Sequence, residues 1–268
     1  MLKKQRMKHN LIGISGKIDS GKDLIGSILQ WIATSKTGFG NGTYSNEECV
    51  EWLNGKYPGD TSIQKISGYQ IKKFADKLKD IVCLLIGCTR EQLEDRNFKE
   101  KPLGEEWVKY RIITKDLPNY YVSTLEEAEN HVRHKNQRYV KVNLTFRLLL
   151  QLLGTECGRE ILHPNIWVNA LFADYKATNV KSYINKFGEE EVVDMDLPNW
   201  IMTDVRFPNE VKAIKDRGGV VIRVNRDSDV VDDHPSETSL NDYEFDYVIE
   251  NKGSIEDLIE KVKQLNLV

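Results

Sequence analysis

The chain has 268 residues, 40% of them hydrophobic and 29% charged, with a formal net charge of −3. That is enough chain to bury a substantial core, either as one large domain or as a core with a smaller subdomain. The charge offers no electrostatic case for nucleic-acid binding, no apolar run approaches the roughly 18 residues a membrane span needs, and the four cysteines form no C-x-x-C pair, as expected of free thiols in a reducing cytoplasm.

Met1 to Lys8 is basic and reads as a solvated extension, because the apolar run after it is too short for a signal peptide. Asn10-Leu11-Ile12 reads as a buried strand, and Leu24 to Ile32 carries apolar residues at helical spacing. Between them lies Gly13-Ile14-Ser15-Gly16-Lys17-Ile18-Asp19-Ser20-Gly21-Lys22-Asp23, where Gly16, Gly21 and Lys22 fit G-x-x-x-x-G-K. A strand, a glycine-bearing turn and a helix in that order is the context of a phosphate-binding loop. Glycine lets the backbone N–H groups close around phosphate oxygens, and the helix N-terminus adds partial positive charge. Lys22 would reach the β- and γ-phosphates. The Ser/Thr that ordinarily holds Mg²⁺ is replaced by Asp23, which either holds magnesium as a hard oxygen ligand or repels the triphosphate.

Ser35 to Asp60 reads as a long loop with a short helix at Ser45 to Leu53, opened by a Ser45/Glu48 capping box. Tyr69 to Phe74 alternates like a strand. Ala75 to Ile86 reads as a helix with Leu78, Ile81, Val82 and Leu85 on one face, stopped by Gly87. Thr89 to Lys101 is charged and partly helical. Tyr120 to Val142 reads as an inserted strand, helix and strand. Leu144 to Leu153 is a strongly apolar helix broken by Gly154-Thr155-Glu156, and Ile166 to Lys176 makes another. Lys181 to Asp194 resembles a hairpin around Phe187-Gly188.

Strand–helix alternation then returns: Trp200 to Val205, Asn209 to Arg217, Val220 to Val224, Asp246 to Glu250 and Ser254 to Leu265, with a polar, acidic segment from Arg226 to Tyr243. Strands separated by helices imply a parallel sheet, whose ligands sit beyond the carboxyl ends of its strands.

Several side chains are candidates for the chemistry. Asp204 ends an apolar strand, where an acid orients Mg²⁺ in phosphate-loop enzymes; a turn former is the plain alternative. Arg206 either clamps a phosphate or pairs with Glu210. Arg147 and Arg159 either meet an acceptor phosphate or pair with Glu156 or Glu160. Gln151 could read a base edge. Trp167, Phe74 and Tyr69 either stack on a base or fill the core. Arg226 is a lid-arginine candidate that would neutralise the transferring phosphoryl group. His234-Pro235-Ser236-Glu237, in the same segment, is read as structural or as a lid hinge.

Together these residues resemble the deoxynucleoside monophosphate kinases of bacteriophages. The resemblance rests on Ser20-Gly21-Lys22-Asp23, on Phe74-Ala75-Asp76 with Leu78-Lys79, and on Leu150 to Glu156 with Gly158-Arg159. It continues through His163-Pro164, Trp167, Asp204-Val205-Arg206-Phe207-Pro208-Asn209-Glu210, His234 to Glu237, and Asp246 through Asn251-Lys252-Gly253. Members often carry Thr after Gly-Lys-Asp, where this chain has Leu24.

The resemblance implies a three-layer α/β phosphate-loop kinase with a central parallel sheet, a helical monophosphate-binding insertion and a short lid. The chain would form one kinase domain. Its core would be residues 9–34, 67–90, 199–226 and 245–268, the insertion about 91–198 and the lid about 226–244. ATP would be the donor, with Mg²⁺, and a deoxynucleoside 5′-monophosphate the acceptor. Gly16, Asp19, Ser20, Gly21, Lys22, Asp23 and Leu24 would hold the donor, with its adenine near Asn251-Lys252-Gly253. Asp23 and Asp204 would serve the metal, and Lys22, Asp204, Arg206 and Arg226 the transfer. Phe74, Asp76, Lys79, Arg147, Gln151, Thr155, Arg159 and Trp167 would form the acceptor pocket. Partners would be small-molecule nucleotides, without nucleic acid or membrane, in the cytoplasm, host cytoplasm if the chain is viral; a homodimer is left open. Other readings are a kinase of another phosphorylated acceptor, such as dephospho-coenzyme A, and a non-catalytic nucleotide-binding protein.

Overall fold

The computed structural model describes residues 9–36, 45–55, 66–114, 120–135, 137–184, 187–226 and 238–268. Strand β1 (Leu11–Gly16) leads into helix α1 (Lys22–Lys36), followed by α2 (Asn46–Leu53) and β2 (Tyr69–Lys72). Helices α3 (Asp76–Ile86), α4 (Arg90–Glu94) and α5 (Arg96–Lys99) precede β3 (Val108–Ile113), β4 (Tyr121–Val122), α6 (Leu125–Lys135) and β5 (Arg138–Asn143). Helix α7 (Phe146–Gln151) runs on as a π-helical segment, Leu152–Leu162, and α8 (Ile166–Phe172) follows. The chain closes with β6 (Asn179–Ile184), β7 (Glu190–Asp196), β8 (Asn199–Val205), α9 (Pro208–Lys215), β9 (Val220–Asn225), β10 (Tyr247–Glu250) and α10 (Ile255–Leu265).

Two compact units divide the chain: Met1–Phe74 with Val168–Val268, and Ala75–Trp167. The first is built on a five-stranded sheet in the order β10-β9-β1-β8-β2, every pairing parallel. Alternate residues of a strand face opposite sides, so an apolar strand between two helical layers feeds both. Ile12 and Ile14 of β1 pack with Ile25, Ile28 and Leu29 of α1 and Leu258, Ile259 and Val262 of α10. Leu11 of β1, Trp200 and Met202 of β8 and Val221 of β9 pack instead with Val211 and Ile214 of α9 and Leu171 and Phe172 of α8. This is the α/β architecture with helices on both faces of a parallel sheet that the alternation implied. Because all five strands run one way, Gly16, Lys72, Val205, Asn225 and Glu250 end them at one edge.

Helix α2 carries the expected Ser45/Glu48 capping box, and Ser254 and Asp257 make another at the start of α10. Gly87 ends α3 with φ 73°, the left-handed cap expected of it. A hairpin joins β6 and β7 around Phe187-Gly188.

The second unit has two small cores. Leu78, Val82, Leu93, Phe146 and Trp167 form one. Ile112, Val122 and Ala128 form the other, under the antiparallel sheet β4-β3-β5 and α6.

Four expectations need correction. Gly154-Thr155-Glu156 does not break the helix that starts before it. The chain widens into the π-helical segment, because the Gly154 carbonyl accepts the Trp167 indole N–H at 2.7 Å and a side chain at Gly154 would sit 2.9 Å from Leu78 Cδ2. Ile81 and Leu85 of α3 are exposed, so only Leu78 and Val82 of that face are buried. The helix begun at Ile166 stops at Phe172, four residues short. Strand β3 lies in a stretch with no expected element; its apolar residues do not alternate cleanly. His234 to Glu237 and most of the expected lid fall outside the described residues.

Candidate phosphate-binding site

The loop from Gly16 to Asp23 joins β1 to α1 at the carboxyl edge of the sheet. Its backbone needs conformations that few side chains tolerate: Asp19 has φ 63° and Gly21 φ 97°. At Gly21 a Cβ would also meet Asn251 Nδ2 at 2.7 Å. Gly16 is required by space, since a Cβ there would lie 2.7 Å from the Val224 carbonyl oxygen.

Three side chains shape the loop. Lys22, the first residue of α1, is buried, and its ammonium donates to the carbonyls of Gly16 and Lys17, both at 2.6 Å. A buried ammonium must be partnered, and these bonds hold it across the mouth of the loop. Asn251, just past β10, donates from Nδ2 to the Ser20 carbonyl at 2.9 Å. Ser20 Oγ is buried and has no hydrogen-bond partner, although a buried hydroxyl ordinarily finds one. It is a donor within the loop that the protein itself leaves without an acceptor. A cavity of about 210 Å³ is lined by Asp19, Gly21, Lys22, Asp23 and Leu24.

Two carboxylates stand at the same edge. Asp23 Oδ1 receives Lys73 Nζ at 2.8 Å and the Thr203 hydroxyl at 2.6 Å. Crowding by neighbouring atoms pushes the Asp23 carboxyl up, although 69% of the side chain remains open to water. The hydrogen bonds from Lys73 and Thr203 and the charges of Lys73 and Lys22 outweigh this and hold it below the usual range. Asp204 Oδ1 accepts the Phe74 backbone N–H at 2.8 Å, tying the chain after β2 to the end of β8.

Among the described residues no cluster of three or more His, Cys, Asp or Glu could hold a metal ion alone. An ion at Asp23 and Asp204 would have to complete its shell with water and nucleotide phosphates. Magnesium bound through one or two carboxylates and substrate phosphates has that character, so the donor set fits it.

Arginines approach from the neighbouring strands. Arg226, after β9, donates to the Asp19 carbonyl at 3.5 Å, so the lid-arginine candidate touches the loop. Arg223 donates to Ser15 Oγ at 3.2 Å. Arg206 follows β8, and its backbone N–H and that of Phe207 are accepted by the buried Glu210 carboxylate at 2.7 and 3.1 Å. Lys252 lies 3.9 Å from Glu250, and Gly253 packs against Asp257 in the turn after β10.

The expected acceptor residues fare differently. Phe74 and Trp167 are core side chains, so neither offers a ring face for a base. Phe74 meets Phe172 edge-on, and Trp167 packs over Gly158 with its N–H committed to Gly154. Tyr69 is likewise buried, its hydroxyl donating to the His9 carbonyl at 2.7 Å. Asp76 pairs with Arg90 at 2.9 Å and Lys79 with Glu94 at 2.6 Å. Arg147 pairs with Glu100, rather than with Glu156 or Glu160. Gln151 ends α7, and Thr155 and Arg159 lie half-buried, four apart on the π-helical segment that follows.

Sequence reasoning missed Lys73, Thr203, Arg223 and the bracing role of Asn251. One signal was available: Thr203 stands in an apolar strand, where a buried hydroxyl needs a partner.

Comparison with known proteins gives a consistent answer. The profile of the family described as deoxynucleotide monophosphate kinase matches residues 103–262, more than half of the chain. The chain is 23% identical over 255 residues to the deoxynucleoside-5′-monophosphate kinase of Escherichia phage T5, covering 86% of this chain and 84% of that protein. It is 31% identical over 122 residues to the deoxynucleotide monophosphate kinase of Escherichia phage RB69, 45% of this chain and 44% of that one. It is 30% identical over 127 residues to a putative deoxynucleotide monophosphate kinase of Acanthamoeba polyphaga mimivirus, 44% of this chain and 59% of that one. The profile match begins well after the phosphate loop, so the loop geometry and the matched residues are separate lines of support. With a phosphate loop at the head of a parallel sheet and that match over most of the remainder, the chain belongs to the deoxynucleotide monophosphate kinase family.

Proposed function

We propose that the protein transfers the γ-phosphoryl group of ATP to a deoxynucleoside 5′-monophosphate, with Mg²⁺ accompanying the donor. The observation that carries this reading is the loop itself: a buried lysine and a glycine turn braced by Asn251 line one cavity, with the unpartnered Ser20 hydroxyl buried in the same loop. Phosphoryl transfer asks the protein chiefly to position and to neutralise charge, and these are groups that do both.

In this reading the loop binds the donor's polyphosphate. Lys22 leaves the Gly16 and Lys17 carbonyls for phosphate oxygens, and Ser20 donates to another. Arg226 turns from the Asp19 carbonyl to the transferring group, and Arg206 adds a second positive charge. Asp23 and Asp204 hold Mg²⁺, which supplies charge neutralisation across the phosphates. Arg147, Gln151, Thr155 and Arg159 bind the acceptor, the arginines at its phosphate. No covalent intermediate with the protein is needed. Phage relatives suggest that the reaction runs in the cytoplasm of an infected host.

A coupled assay of ADP formation, run with each deoxynucleoside monophosphate and with dephospho-coenzyme A, tests the proposal. Turnover with at least one deoxynucleoside monophosphate, lost in Lys22→Met, is expected. No turnover with any of them rejects the acceptor assignment. ATP binding without ADP formation across the panel would make the protein a non-catalytic nucleotide binder.

A further inference from the structure

A carboxylate at the end of a phosphate loop places negative charge beside negative ligand, which Coulomb's law makes unfavourable. The structure surrounds Asp23 in a way that answers this. Lys73 Nζ and Thr203 Oγ1 both contact the same oxygen, Oδ1, at 2.8 and 2.6 Å. Neither partner is loosely held. Thr203 is buried in β8, where α1 comes so close that a Cβ at Gly26 would lie 2.7 Å from Thr203 Cγ2. Lys73 sits between β2 and Phe74, whose backbone N–H is fixed to Asp204 Oδ1 at 2.8 Å. Its side chain is only 28% exposed, against 69% for Asp23. The ammonium is thus delivered to Asp23 by anchored backbone, unlike a surface lysine free to choose its partner.

We propose that Lys73 is a positioning residue of the donor site: its ammonium offsets the Asp23 charge and, with Thr203, pins the carboxylate, so that polyphosphate enters the loop before any divalent cation does. The proposal rests on the reading of this loop as the donor nucleotide site. It gives Lys73 a role exerted through Asp23, and therefore one that disappears when Asp23 loses its charge.

Calorimetric titration of the full chain with ATP in EDTA tests it. Lys73→Met should bind metal-free ATP roughly tenfold more weakly, the effect of one uncompensated charge near the surface. Lys73→Arg, which keeps the charge, should stay close to the unaltered chain. Asp23→Asn/Lys73→Met should recover most of the loss, since no carboxylate charge remains to offset. Lys73→Met binding as well as the unaltered chain overturns the proposal. So does weak binding that persists in the double variant, which would mean that Lys73 meets the phosphates directly. Should Lys73→Met fail to fold, Asp23→Asn alone decides: retaining the lysine charge, it should bind metal-free ATP more tightly, and unchanged or weaker binding is fatal. If the unaltered chain binds no ATP at all, with or without magnesium, the loop reading fails instead.

Discussion

Asn251 and Ser20 are 231 positions apart, yet the amide of one donates to the carbonyl of the other at 2.9 Å. The last strand of the sheet thereby braces the first loop. Removing one buried hydrogen bond costs about 1 kcal/mol, so Asn251→Ala should weaken ATP binding several-fold in calorimetry. Asn251→Asp should be worse, because a carboxylate cannot donate to the Ser20 carbonyl and adds charge near the phosphates.

Asp204 allows charge and hydrogen bonding to be separated. Asp204→Asn keeps an oxygen for the Phe74 N–H, so thermal melting should change little while kcat falls on the order of a hundredfold. Asp204→Ala should lose kcat similarly and also about 1 kcal/mol of stability, seen in urea unfolding.

Burial pushes the Cys49 thiol up from 9.0 to about 12, and burial likewise raises the Tyr69 hydroxyl. Both folded-state values lie above the unfolded ones, so the native state holds these protons more tightly. The Cys49 contribution is present in full below pH 9 and is lost as pH rises toward 12; the Tyr69 contribution is lost in the same direction at higher pH. Each such group contributes a slope of about 1.4 kcal/mol per pH unit. Urea unfolding of Cys49→Ala between pH 8 and 10 should show a flatter dependence than the unaltered chain; an equal slope would refute the assignment.

Trp167→Phe separates packing from recognition. The indole N–H bond to Gly154 would vanish, costing about 1 kcal/mol or more in unfolding experiments. Since the ring lies in the core, the KM for the monophosphate should move little; a large rise with unchanged stability would place Trp167 at the ligand.

The phosphate loop of the candidate site was legible in the sequence because its pattern is local. Gly16, Gly21 and Lys22 stand at fixed offsets, and the apolar strand before them and helix after them are read from a few residues. Asn251 was selected for its place in a turn, but its contact with Ser20 depends on where β10 lies in the sheet, which no spacing records. Lys73 was invisible for the same reason: its role comes from facing Asp23, 50 positions earlier. Gly154 misled because a glycine after an apolar helix ordinarily ends it; here the Trp167 indole, 13 positions on, stabilises a wider coil.

The order of the strands has a bearing on synthesis. Both neighbours of β1 come from the last third of the chain, and the only described neighbour of β2 is β8. On the ribosome, no strand of this sheet can find its partner until Asn199 has emerged. The apolar strand that leads into the Gly16–Asp23 loop must therefore wait, unpaired, through most of translation. A nascent chain in that condition is open to aggregation and to chaperone capture, while the unit Ala75–Trp167, complete by then, is free to fold first.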